Sequence, residues 1–115
     1  MKTTRRLSLL SFIVLALSWV SSGTPITLPT DAGVSLFAKK CAVCHGKDGT
    51  GLPNWKSKGQ PNLTRSEWQD SHTDEEITDT IKNGKGESMP SFKDKLSDED
   101  INALLLRVRM FKKEK

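Results

Sequence analysis

The chain has no stretch of credible strand alternation, no internal repeat and no low-complexity segment, which excludes a β-rich or solenoid architecture. Its one long apolar run, Leu7 to Val20, has only 14 residues. As a helix it would reach roughly 21 Å, short of a hydrocarbon core of about 30 Å, which argues against a membrane anchor. Basic residues Lys2, Arg5 and Arg6 precede the run and the small residues Ser21, Ser22 and Gly23 follow it. Residues 1–22 therefore read as a secretory signal, cleaved near Ser22 or Gly23. The Arg5-Arg6 pair fits a twin-arginine signal poorly.

A surplus of one charge sign is also missing. Residues 1–22 hold three of the 18 basic residues and none of the 14 acidic ones, which leaves 15 basic against 14 acidic, a balance of +1. The sequence pI of about 9.2 mostly reflects the leader and makes no case for nucleic-acid binding. Apolar residues are scarce as well: with glycine they make 36 of the remaining 93, about 39%, against roughly 45–50% in a typical domain. A single domain of this size struggles to bury enough surface, so something beyond side chains is expected to complete its core. A large apolar cofactor would do so.

What the chain does have is helical signal. Residues 23–30 read as an extended lead-in and 31–115 as one domain. Asp31 is placed to cap a first helix whose apolar stripe is Val34, Phe37, Ala38 and Cys41. That helix runs into the cysteines and ends before the turn Gly46-Lys47-Asp48-Gly49-Thr50-Gly51. Leu52 to Ser71 reads as ordered loop with at most a short helical turn. Thr73 and Glu76 have capping-box spacing at the start of a second helix, which places Ile77 and Ile81 on one face and stops at Gly84. Ser97 caps a last helix with acidic residues first, basic residues last, and a buried stripe of Ile101, Leu104, Leu105, Val108 and Phe111. The expected class is all-α, with three to four helices and long ordered loops.

The chemistry lies in Cys41-Ala42-Val43-Cys44-His45. Two cysteines would ordinarily suggest a disulfide in an exported chain. A bridge between Cys41 and Cys44, however, would close a small ring that constrains little. A redox C-x-x-C usually follows a strand, and a zinc site would need the poorly matched neighbours Cys44 and His45 together with His72. Thiols three residues apart project from one side of a helical turn, where they can add to the two vinyl groups of a porphyrin edge. The next residue, His45, then supplies an imidazole nitrogen to the iron. The pentapeptide reads as a covalent haem attachment site.

A second axial ligand is sought among His72, Met89 and Met110. Met110 lies in the last helix among basic residues, where a packing or surface role is expected. His72 precedes a helix cap and is expected to be solvated. Met89 sits on the loop Ser88-Met89-Pro90, where backbone can carry a thioether to a metal, and is the favoured candidate.

Residues 31–111 resemble a small monohaem class I c-type cytochrome, over essentially the whole domain. The resemblance rests on Gly33 and Phe37, Cys41 to Gly46, the turn Asp48 to Gly51, and Pro61-Asn62-Leu63. It continues through Ile81 to Gly86, Met89-Pro90 with Phe92, and Leu96 to Ile101. It implies a cytochrome c fold, Met89 as the distal iron ligand, Pro61 orienting His45 through its loop, and a tight crossing of first and last helices near Gly33. Two features depart from the pattern. Arg107 stands where an aromatic is usual, so it must turn outward or lay its stem over the crossing, with Phe111 or Leu104 taking the contact to the first helix. The segment from Leu52 to Gly59 has no firm counterpart, and a propionate contact from Trp55, Trp68 or a lysine is a guess.

Histidine–methionine ligation would leave iron six-coordinate, with no site for a small-molecule substrate, and would favour the ferrous state. The expected function is one-electron transfer by one covalent haem c, not enzymatic catalysis. It would act in the periplasm or another extracytoplasmic space, as a monomer serving redox proteins or membrane redox complexes. The alternatives are a haem enzyme or gas sensor with an open sixth site, or a haem subunit docked on a dehydrogenase or oxidase.

Overall fold

The computed structural model describes residues 29–113. The leader and most of the lead-in expected from the sequence lie outside them. Six helices are described: α1 (Pro29–Lys40), α2 (Ala42–His45), α3 (Pro53–Lys56), α4 (Ser66–Ser71), α5 (Asp74–Asn83) and α6 (Asp98–Arg109). Among the described residues there is no β-strand, only an isolated bridge between Lys85 and Met89. No helix among them is long and apolar enough to cross a membrane. The architecture is the all-α one expected, with three long helices and three short ones in the connections.

Helices α1 and α6 form the main helix pair, and α5 packs beside α6. The crossing is tight because Gly33 has no side chain. A Cβ built there would stand 2.1 Å from the Ala103 carbonyl oxygen, so any larger residue forces the helices apart. This contact also fixes which face of α1 is inside. Gly33 and Phe37 are buried and Cys41 packs on the core, whereas Val34 is 43% exposed and Ala38 is exposed. Two members of the expected stripe, Phe37 and Cys41, thus face the core, and Val34 and Ala38 do not. Asp31 is likewise in the first turn rather than at the cap, because α1 starts at Pro29, a residue suited to an opening helical position.

Both later helices open as the residue order dictates. Thr73 and Ser97 each accept a hydrogen bond from the third helical N–H, and the Glu76 and Asp100 carboxylates accept one from the cap N–H. The stripe Ile101, Leu104, Leu105, Val108 and Phe111 is buried, although Phe111 lies just beyond the end of α6. The stretch from Leu52 to Ser71 holds more helix than expected, a four-residue α3 and a six-residue α4. Pro53 opens α3, and α4 is held by distant polar contacts instead of an apolar period.

Those contacts form a clamp. The buried Gln69 side chain donates to the Leu63 and Val108 carbonyls (2.6 and 2.9 Å) and accepts from Arg109 (3.0 Å). Arg109 also donates to the Gln69 and His72 carbonyls (2.6 and 2.7 Å) and pairs with Asp74 at 2.7 Å. Further along, Ser66 donates to the Lys113 carbonyl, and the Lys113 N–H donates to that of Thr64. Helices α4, α5 and α6 are thereby locked together.

Candidate cofactor site

A cavity of about 540 Å³ opens between the end of α1, α5, α6 and the two long loops. That volume suits a cofactor. Cys41, Cys44, His45, Pro61 and Met89 all line it, so every site residue expected from the sequence reaches one chamber. Its remaining wall is largely apolar: Leu63, Ile77, Ile81, Phe92, Leu104 and Val108.

The attachment pentapeptide is held as a helical turn. Cys41 N–H donates to the Phe37 carbonyl (2.9 Å), while Cys44 and His45 N–H both donate to the Cys41 carbonyl (3.1 and 2.9 Å). Gly46, at φ +74°, then reverses the chain, and Gly51 N–H closes onto the His45 carbonyl at 2.8 Å. Both thiols are free and half-buried. Burial, and the neighbouring Cys44, push the Cys41 thiol up to about 11, so it is protonated at neutral pH. Burial lowers the His45 pKa, which favours the neutral imidazole whose lone pair can bind a metal.

The Met89 loop is closed on itself and tied to α5. Lys85 N–H donates to the Met89 carbonyl (3.0 Å) and Met89 N–H to that of Lys85 (3.2 Å). The N–H groups of Phe92 and Lys93 and the Ser91 hydroxyl then bond the last carbonyls of α5, at Ile81 and Lys82. Gly84, at φ +76°, is required here, since a Cβ would lie 2.4 Å from the Met89 carbonyl oxygen. Met89 itself is half-buried and packs against the core. Met110, in contrast, is 55% exposed.

The residues present fit a haem. Two free thiols one turn apart, a buried imidazole and a thioether share an apolar chamber, and the His45 Nδ1 is buried with no hydrogen-bond partner. The bond that would let the Pro61 loop orient His45 is thus not made, although Pro61 lies on the same wall. Among the described residues no three His, Cys, Asp or Glu side chains converge as a metal cage, so His72 does not join the cysteines.

His72, expected in solvent, is half-buried on the cavity wall. Its ring stacks on Trp68 (4.6 Å between centroids) and its Nδ1 lies 2.8 Å from the Trp68 carbonyl oxygen. The four-residue spacing of Trp68 and His72 was the available signal. Trp55 also lines the cavity, with the Lys58 ammonium 4.5 Å from its ring centroid.

Residues 29–106 match the family profile described as cytochrome C oxidase, cbb3-type, subunit III. The chain is 34% identical over 76 residues to the cbb3-type cytochrome c oxidase subunit CcoP of Cereibacter sphaeroides, which covers 66% of this chain and 25% of that protein. The chain thus spans about a quarter of the length of that curated relative. It is 37% identical over 77 residues to cytochrome c6 of Leptolyngbya boryana, covering 67% of this chain and 86% of that one. Among solved structures, the KustC0563 c-type cytochrome matches with a TM-score of 0.67 at 38% identity, over 70% of this chain and 98% of that one.

Proposed function

The chain belongs to the small class I c-type cytochromes, a family of haem electron carriers, and we propose that it is an extracytoplasmic one-electron carrier with a single haem c under His45 and Met89 ligation. One observation carries this reading: the helical Cys41–His45 turn and the tied-back Met89 loop line one apolar cavity. Bound there, haem iron supplies reversible one-electron chemistry and needs no substrate site.

The chain's own residues would do the rest. Cys41 and Cys44 would tether the porphyrin through thioethers, and His45 would give its imidazole to the iron. Met89 would give its thioether to the iron, presented by a loop whose backbone hydrogen bonds tie it to α5 in either oxidation state. Leu63, Ile77, Ile81, Leu104 and Val108 exclude water, which favours the less charged ferrous state. Pro61 lines the same cavity as His45, and its loop would orient the imidazole in the haem-loaded protein. Export rests on the basic start and apolar run of residues 1–22. The partners would be other redox proteins, met by a monomer. The match to an oxidase subunit profile favours a second reading, a haem subunit docked on an oxidase. The size of the purified protein and its retention with a membrane oxidase separate the two.

Ligation is tested on haem-loaded protein. Wild type should carry a methionine-sulfur-to-ferric-iron charge-transfer band, and Met89→Ala should lose it and show a lower reduction potential. An unchanged spectrum and potential in that variant would remove Met89 from the ligand set.

A further inference from the structure

Helix α6 carries two arginines that differ sharply in their surroundings. Arg109 is neutralised by Asp74 and saturated with carbonyl and amide acceptors. Arg107 is half-buried, its Nε has no hydrogen-bond partner, and no carboxylate among the described residues pairs with it. It lies over the α1–α6 crossing, where its Cβ would be 3.2 Å from a Cβ on Gly33. Its guanidinium carbon sits 4.1 Å from the Phe111 ring centroid and 6.0 Å from that of Phe37. Those rings are 4.9 Å apart, and Phe37 is 6.4 Å from the His45 ring. The separations along this path keep the guanidinium within about 12 Å of the His45 imidazole.

We propose that Arg107 sets the reduction potential: its uncompensated charge, held on the Phe37–Phe111 pair behind His45, favours the reduced state of the iron that His45 binds. The inference rests on the reading of His45 as a haem ligand. Reduction removes one positive charge from the iron centre, so a fixed cation nearby stabilises the product over the reactant. A guanidinium stays charged at any working pH, which makes the effect permanent. The intervening matter is packed aromatic ring, so the interaction is screened less than one between exposed charges. A stem that merely covered the crossing would leave the potential where it is.

The test is a spectroelectrochemical titration of haem-loaded wild type, Arg107→Lys, Arg107→Gln and Arg107→Phe, at low and high salt. Both neutral variants should shift the potential downward by a similar amount, Lys should stay near wild type, and the shift should persist at high salt. Arg107→Phe restores an aromatic at this position, so it keeps the comparison intact if Gln unfolds, and the methionine–iron band reports whether ligation has survived. A potential unmoved by charge removal, or moved equally by Lys, overturns the proposal. A wild type with no reversible haem couple would overturn the electron-carrier reading itself, whereas a normal couple indifferent to the charge at residue 107 overturns this inference alone.

Discussion

Two regions meet along α6 and treat polarity in opposite ways. In the clamp, Gln69, Arg109, Asp74 and the carbonyls of Leu63, His72 and Val108 satisfy one another with protein atoms alone. In the cavity, the Leu104 and Val108 side chains face other apolar groups across open space, and the His45 Nδ1 has no protein partner. Buried polar groups in native proteins are nearly always paired, so the orphan marks a place where the fold serves something besides its own stability. The clamp holds α4, α5 and α6 in position, and the cavity wall is built from the side chains they present. One region supplies rigidity and the other uses it.

The difference is broken most forcefully at the cysteines. Cys41→Ser combined with Cys44→Ser, expressed in a host that matures c-type haem, should yield protein whose colour is extracted by acidified organic solvent. Without the thioethers the haem no longer stays with the unfolded chain and its burial ceases to be intramolecular, so stability should fall sharply, measured by denaturant unfolding. Covalently retained colour in the double variant would show that the thiols are not the tether.

A smaller effect is expected in the clamp. Gln69→Ala leaves the Leu63 carbonyl buried without its donor, at a cost of about 1–3 kcal/mol, while the Val108 carbonyl keeps the Phe111 N–H. The optical spectrum and reduction potential should nevertheless match wild type. A shifted spectrum would mean that the two regions are one mechanical unit.

Much of the fold was legible because its signals are local. Thr73 with Glu76, and Ser97 with its three acidic successors, announce α5 and α6 within four residues, and the Cys41–His45 spacing announces the site. The facing of α1 was legible in part, from Phe37 and Cys41, and the crossing at Gly33 only through the family resemblance, because a buried glycine carries no hydrophobic signal. Gly33 is inside only because the Ala103 backbone passes 2.1 Å from where its Cβ would be, a fact belonging to another helix. Gln69 is hidden for the same reason: its partners lie as far as 39 and 40 residues along the chain, at Val108 and Arg109. His72 reads as a solvated polar residue until Trp68 and the α6 arginine are placed around it. Arg107 was legible only as a departure, with the outcome open. The structure lays it over the crossing and gives Phe111 the contact to Phe37.

The smallest effect expected is at the join between the two regions. Helix α5 presents Ile77 and Ile81 to the cavity while its first residue, Asp74, pairs with Arg109 of the clamp. Its start is fixed by Thr73, whose hydroxyl accepts from Glu76 N–H at 3.2 Å while the Glu76 carboxylate accepts from Thr73 N–H at 2.8 Å. Thr73→Ala removes one half of this exchange and should lower stability by about 1 kcal/mol. Because Thr73 and Glu76 share one reciprocal pair, Glu76→Ala should add less than its own cost to Thr73→Ala. Denaturant unfolding of the two single variants and the double variant checks this. Strict additivity would mean that the two bonds act independently, with α5 held by its neighbours rather than by its own cap.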